Sequence, residues 1–330
     1  MNKFISFLKS IISLFSIYLL IVMKMRHKKI IMFYFPVKIY QENLFDLIKL
    51  LEKKNNVFLV YNSSSVDEIK NHSNSFFLDF DLIKYIPFGN FFLKDIKIFL
   101  SSYIVYVYPP KSKNIYISHD IYDAPMVNKN LEKKIFLRIN KLNYIFLSSK
   151  ISVDYFKSQF KKFKIQNNPK LINTGYLKLD NLINKTKISF TKKESQNILI
   201  APGYSFAFKN YNMYSIIDKI FYELLDKTNE KIIFRPHPLD LTKKGDLEKV
   251  ENIIERFKNY KNFNYDLSVS YVKSYKKSKI LITDLSSTAY TYAFSNEKPV
   301  IFFSKNENKL KKDYFSDLNY FKDRQKIGYV

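Results

Sequence analysis

The chain has 330 residues, no cysteine, and 55 Lys plus Arg against 30 Asp plus Glu, a net charge of +25. That length suits two domains of ordinary size, and the missing cysteine excludes disulfides, thiolate metal centres and cysteine nucleophiles. The basicity suits nucleic acid, anionic lipid or phosphorylated substrates, or reflects the drift of an A+T-rich genome; with lysines scattered in pairs such as Lys53-Lys54 and Lys161-Lys162 and no nucleic-acid motif, a dedicated nucleic-acid binder is not expected.

Residues 4–23, FISFLKSIISLFSIYLLIVM, form an apolar run about as long as a bilayer is thick. Ser6, Lys9, Ser10, Ser13 and Ser16 recur at helical spacing in its first half, so a helix lying in the membrane interface fits as well as one crossing it, and a buried core helix is the third reading. Lys24, Arg26, Lys28 and Lys29 follow, a cluster that attracts anionic headgroups and favours the cytoplasmic side.

From Lys28 onward short apolar runs alternate with longer mixed segments, the pattern of a parallel sheet with helices on its faces. KIIMFYFPV reads as a strand, QENLFDLIKLLEKK as a helix with Leu44, Leu47, Ile48 and Leu51 on one face, and NVFLVYN as a strand. YIVYVYPP and NIYISHDIYDAP read as two more strands, the second running into a loop with His119, Asp120 and Asp123. LEKKIFLRINKL and ISVDYFKSQFKKF are predicted helices flanking the strand YIFLSS, and KLINTGY is a further strand.

The stretch 179–196 is the candidate linker. Beyond it the alternation resumes: NILIAPGY, the helix around IIDKIFYELLDK, the strand KIIFRPHP, the helix LEKVENIIERFKNY, the strand KILITD, a helix from Ser286 and the strand PVIFF. The expected fold is therefore α/β, with a membrane-associated helix at 1–26, a Rossmann-like domain at 27–185 and a second at 186–330. Two open parallel sheets place ligands outside the carboxyl ends of their strands, where His119, Arg235, His237 and Ser286 are predicted to sit.

Two motifs carry chemistry. RPHP supplies a guanidinium able to grip phosphate oxygens and an imidazole able to donate a hydrogen bond, in a loop stiffened by two prolines; an ion pair for Arg235 and a structural hydrogen bond for His237 are the alternatives. ILITDLSST ends a strand on Asp284, Ser286 and Ser287, the residues of a phosphate-holding helix N-terminus. They are equally the preferred caps of any helix. No metal site is visible, and with four histidines a histidine-rich one is not expected.

The order RPHP, ILITDLSST, NEKPVIFF, preceded by TGYLKLD and ILIAPGY, resembles the CDP-glycerol glycerophosphotransferase family, the poly(glycerol-phosphate) and poly(ribitol-phosphate) polymerases and primases of teichoic acid and capsule synthesis. The similarity runs from about residue 115 to 330 and is most specific at 231–303. It implies a GT-B architecture, two Rossmann-like domains whose parallel sheets face a central cleft, peripheral or single-helix attachment to the cytoplasmic face of the plasma membrane, and no cofactor. It also implies transfer of glycerol phosphate or a related polyol phosphate from CDP-glycerol or a similar donor to a lipid-linked or polymeric acceptor, with release of CMP.

By position, Arg235, His237, Ser286 and Ser287 would hold the donor pyrophosphate, Asp284 would shape the turn, and His119 would be the general base with Asp120 orienting it. The chain departs from the family pattern at His119-Asp120, where His-Gly is usual, at Pro202-Gly203-Tyr204-Ser205, where Pro-Thr and then Arg are usual, and at IGYV, where relatives run on into a closing helix. The competing expectations are a GT-B glycosyltransferase using a nucleotide sugar and a non-catalytic module that binds anionic polymer at the membrane surface.

Overall fold

The computed structural model describes residues 3–24, 27–36, 44–63, 74–119, 121, 135–187, 196–206, 211–242, 244–268, 270–313 and 318–330. The chain forms two compact units, one of Met1–His119 with Leu131–Leu177 and one of Asp120–Asn130 with Lys178–Val330.

The first unit is built on a seven-stranded sheet in the order β3-β2-β1-β4-β5-β6-β7, every pair parallel. Its strands are β1 (Lys29–Phe35), β2 (Val57–Ser63), β3 (Ser75–Phe77), β4 (Ile98–Ser101), β5 (Lys113–Ile117), β6 (Tyr144–Leu147) and β7 (Lys170–Asn173). All of β1 after Lys29 is buried, as expected of a central parallel strand covered on both faces, which is why KIIMFYF reads as an unbroken apolar run. Helix α2 (Phe45–Glu52) sets Ile48 against this strand's core, and α3 (Lys150–Lys162) buries Phe156 and Phe160 one turn apart.

The strand expected at YIVYVYPP ends before it begins. The Ser101 hydroxyl accepts from the Tyr103 N–H and donates to the Tyr34 carbonyl, turning the backbone out of the ladder. Ile104, Val105 and Tyr108 are buried all the same, in irregular chain.

Helix α1 (Lys3–Lys24) packs on the same unit. Its serine stripe turns inward: Ser6, Ser10 and Ser13 are buried together with Leu14, Ile17 and Ile21, and the Ser10 hydroxyl accepts from the Asp79 N–H at 3.2 Å. Rings of Phe15 and Tyr18 meet Phe91 and Phe92 at centroid distances of 5.7–6.4 Å. Burying Leu14, Ile17 and Ile21 is worth roughly 1.5–3 kcal/mol each.

The second unit carries a six-stranded parallel sheet in the order β10-β9-β8-β11-β12-β13. The strands are β8 (Asn197–Ile200), β9 (Ile232–Phe234), β10 (Phe263–Tyr265), β11 (Ser278–Thr283), β12 (Val300–Phe302) and β13 (Gly328–Tyr329). Of the stretch 179–196 read as a linker, residues 179–187 belong to helix α4 (Leu177–Lys187), and 188–195 lie outside the described residues. Helix α5 (Ile217–Lys227) buries Ile217, Phe221 and Leu225 at four-residue intervals, and α6 (Lys244–Phe257) buries Val250, Ile253 and Phe257. Phe221 lies within 5.0–5.5 Å of the rings of Phe234, Phe257 and Phe263, which ties both helices to the sheet. Helix α7 (Val272–Lys277) leads into β11, and α8 (Thr288–Asn296) follows it, buried on nearly every side.

Strand order reverses between β1 and β4 in one sheet and between β8 and β11 in the other. Such reversals open a crevice at the strands' carboxyl ends, because successive crossovers leave to opposite faces. The segments after β8, β9 and β11 therefore converge, and these are the segments singled out in the sequence.

Candidate functional site

In the second unit the chain leaves β8 as Ala201-Pro202-Gly203-Tyr204-Ser205-Phe206, and two buried carboxylates from other strand ends clamp this loop. Asp284, directly after β11, accepts the Gly203 N–H at 2.7 Å through Oδ1 and the Met213 N–H at 2.8 Å through Oδ2. Asp240, two residues beyond the RPHP motif, accepts the Ser205 hydroxyl at 2.6 Å, the Ser205 N–H at 3.2 Å and the Tyr214 hydroxyl at 2.9 Å. Asn212 adds a bond to the Ser205 carbonyl at 2.8 Å, and the Thr283 hydroxyl donates to the Ala201 carbonyl at 2.6 Å.

Gly203 is required by proximity. A Cβ there would stand 2.9 Å from Asp284 Oδ1 and 3.0 Å from the Leu285 carbonyl oxygen. Burial pushes the Asp284 carboxyl up to about 6, with the Met213 and Gly203 N–H groups acting in the other direction. Asp240 is likewise raised by burial, against the pull of its Ser205 and Tyr214 hydrogen bonds.

The motif after β9 splits into two roles. Arg235 is buried: its Nη1 lies 2.7 Å from Asp266 and its Nη2 donates to the Ser268 carbonyl at 2.8 Å. Burial works against the Asp266 carboxylate, but the Ser268 and Ser274 hydroxyls and the Arg235 guanidinium together hold it below the usual carboxylate range. His237 is half-buried, flanked by Pro236 and Pro238, and its ring lies 5.5 Å from that of Tyr204 at 33°. Its Nδ1 accepts the Leu239 N–H at 3.2 Å. A nitrogen that accepts carries no proton, so in the neutral imidazole the proton is on Nε2, which is a hydrogen-bond donor.

At the start of α8 the Ser286 hydroxyl accepts the Thr288 N–H at 3.3 Å, and its own proton remains for donation. The Ser286 N–H goes to the buried Tyr320 hydroxyl at 2.9 Å, so this amide serves the fold. Ser287 is the N-cap residue of α8, and its carbonyl accepts the Thr291 N–H. The structure thus brings Asp284, His237, Ser286 and Ser287 to the strand ends of one sheet, with Arg235 beneath them as part of an ion pair.

His119 belongs to the first unit, two residues past β5. Its Nδ1 lies 2.9 Å from the Ser102 carbonyl oxygen, 3.4 Å from the Tyr116 hydroxyl, and its backbone carbonyl accepts the Tyr176 hydroxyl at 2.6 Å. A carbonyl only accepts, so Nδ1 must carry the proton and Nε2 is the basic nitrogen. The two histidines are therefore held in opposite tautomers. Asp120 lies outside the described residues; among the described ones, the Ser102 carbonyl and the Tyr116 hydroxyl stand at His119 Nδ1.

Sequence reasoning passed over Asp240, Ser205 and Tyr320. The signal for Asp240 was its position in RPHPLD, where a carboxylate three residues after a strand-end histidine lands back under the neighbouring loop. Tyr320, 34 residues beyond the Ser286 whose N–H it accepts, had none. Among the described residues no group of three or more His, Asp or Glu is placed to hold a metal ion.

Residues 182–322 match the model of the LIC12162 family transferase. Over 122 residues the chain is 34% identical to the minor teichoic acid biosynthesis protein GgaB of Bacillus subtilis (strain 168), a match covering 37% of this chain and only 12% of that protein. In fold it is similar to the wall teichoic acid polymerase TagF, with a TM-score of 0.56 and 17% identity over 94% of this chain and 82% of that one. It is similar as well to the UDP-GlcNAc 2-epimerase of Methanocaldococcus jannaschii, with a TM-score of 0.57 and 12% identity over 86% of each chain. The structural likeness, at these identities, speaks for a GT-B-like pair of parallel-sheet α/β domains. The sequence matches agree with the resemblance to a CDP-glycerol glycerophosphotransferase-like family: residues 182–322 match a transferase family, and over 122 residues the chain is similar to a teichoic acid biosynthesis protein.

Proposed function

We propose that the protein transfers glycerol phosphate, or a related polyol phosphate, from a CDP-activated donor to a hydroxyl of a lipid-linked or polymeric acceptor at the cytoplasmic face of the membrane, releasing CMP. The observation that carries this reading is the opposite tautomers of its two strand-end histidines. His119 Nε2 takes the proton of the acceptor hydroxyl as its oxygen attacks the polyol-bearing phosphorus. The bond from that phosphorus to the bridging oxygen breaks, and the electron pair leaves with CMP. His237 Nε2–H and the hydroxyls of Ser286 and Ser287 donate to the phosphate oxygens on which this charge builds, where a fixed donor is worth about 100-fold to 1,000-fold in turnover.

Arg235 acts from beneath. Its pairing with Asp266 fixes the ends of β9 and β10 and sets the RPHP loop, and Asp240 and Asp284 hold the Ala201–Phe206 loop that carries Tyr204 against His237. No cofactor is called for in this sequence of steps.

The test is incubation of the protein with CDP-, UDP- and GDP-activated donors and a lipid-linked acceptor, followed by mass analysis of the products. Release of CMP with a mass gain of one polyol phosphate on the acceptor is the expected result. A second reading, a glycosyltransferase using a nucleotide sugar, is favoured by the fold likeness to epimerases such as one solved with UDP-GlcNAc and UDP; release of a nucleoside diphosphate would establish it.

A further inference from the structure

Helix α1 wears its polarity inside out. Ser6, Ser10 and Ser13 face the domain, while Phe4, Ile5, Leu8, Ile12, Phe15 and Leu19 form an exposed stripe at three- and four-residue steps, with Phe4 and Ile12 each 66% exposed. The stripe continues onto the neighbouring segment through Tyr18, whose ring meets that of the exposed Phe91 at 5.8 Å. Three residues earlier stands Phe88, 84% exposed and held at φ 56, a conformation that a bulky side chain adopts only at a cost. The Phe91 N–H donates to the Phe88 carbonyl at 2.8 Å, so the two aromatics belong to one turn.

Lysines border this surface. Lys94 Nζ lies 3.9 Å from the Phe91 ring centre and Lys84 Nζ 4.8 Å from that of the exposed Tyr85, while Lys28 and Lys29 are exposed just beyond α1. An apolar stripe with aromatics and bordering ammonium groups is complementary to a bilayer surface carrying anionic headgroups: rings and aliphatic chains enter the acyl boundary, and the lysines reach back to phosphates.

We propose that α1 does not cross the membrane but lies along it, its outward face and the Phe88–Phe91 turn together forming a docking surface for an anionic lipid bilayer. A helix that crosses the bilayer spends about 30 Å of its length in hydrocarbon, where this water-facing domain cannot follow it. To cross, α1 would have to pull Leu14, Ile17 and Ile21 out of the core and break the bond between Ser10 and the Asp79 N–H. Lying flat, it keeps all of these and covers only what is already exposed. The proposal rests on the membrane attachment stated above and concerns its geometry.

The chain has no tryptophan, so a single one reports without interference. Full-length Ile12→Trp and Phe88→Trp proteins are mixed with phosphatidylcholine vesicles with and without phosphatidylglycerol, in lipids brominated either near the glycerol or near the chain ends. Both tryptophans should be quenched, more strongly by the shallow bromines, and phosphatidylglycerol should tighten binding. Ile12→Glu and Phe88→Glu should each lower vesicle binding by about tenfold or more with turnover on a soluble acceptor mimic unchanged.

Quenching of Ile12→Trp mainly from the chain ends, with Phe88→Trp left in water, would mean a crossing helix and overturn the proposal. So would vesicle binding that survives both Glu substitutions, or an Ile12→Glu substitution that only converts a dimer to a monomer, which would make a second copy the occupant. If vesicles are bound as expected but no nucleotide is released from any donor, the transferase reading fails and the docking surface stands.

Discussion

Asp284→Asn isolates what the buried carboxylate contributes beneath the Ala201–Phe206 loop. The substitution keeps the volume but replaces a two-armed acceptor by one acceptor and one donor, so either the Gly203 or the Met213 N–H faces an NH2 group. A buried backbone donor left in that state costs about 1–3 kcal/mol. Against this, the wild-type carboxyl rises from its usual 3.8 to about 6 on burial, which disfavours its charged form by about 3 kcal/mol.

The folded state binds more protons than the unfolded state between pH 3.8 and about 6, so wild-type stability from this group falls as pH rises through that window and is level above it. The asparagine variant has no such slope. Relative to wild type it should gain about 2.4 kcal/mol between pH 4 and pH 7.5, ending near wild-type stability at the higher pH. Pulse proteolysis in urea, reading a fragment of the C-terminal unit, measures both proteins across that range. A stability difference between variant and wild type that is the same at both pH values would refute the burial of a titrating carboxylate at this position.

Gly203→Ala puts a methyl 2.9 Å from Asp284 Oδ1 and should destabilise the C-terminal unit by about 1–3 kcal/mol, seen as a lower urea midpoint. Arg235→Ala removes a buried guanidinium from the half-buried Asp266, which keeps its Ser268 and Ser274 hydrogen bonds, and should cost about 1–3 kcal/mol of stability, so its activity must be read against the folded fraction. His119→Ala should lower turnover by roughly 100-fold to 10,000-fold while calorimetry shows donor affinity nearly unchanged; loss of donor binding in proportion to activity would remove His119 from the role of base. His237→Ala should lose donor affinity and turnover together, since its Nε2–H is argued to touch the donor phosphates.

The layered architecture and the strand ends that matter are legible in the amino-acid pattern. Runs such as KIIMFYF and NILI are legible because a parallel strand buried on both faces must be apolar throughout, and the intervening helices show their buried face at three- and four-residue steps. RPHP and ILITDLSST could be placed at strand ends on that basis alone, and their order carried the resemblance. The partners of those side chains come from elements distant in sequence, which meet only on folding. Arg235 reads as a surface phosphate grip until β10 delivers Asp266 beside it, and the protonated nitrogen of each histidine depends on a backbone group, the Ser102 carbonyl or the Leu239 N–H, whose position no side-chain pattern encodes. Helix α1 shows the same division. Its periodicity gave a serine stripe within an apolar run, but which side faces the protein was settled by contacts such as the part-buried Asp79 N–H, for which Ser10 supplies the acceptor that an apolar side chain lacks.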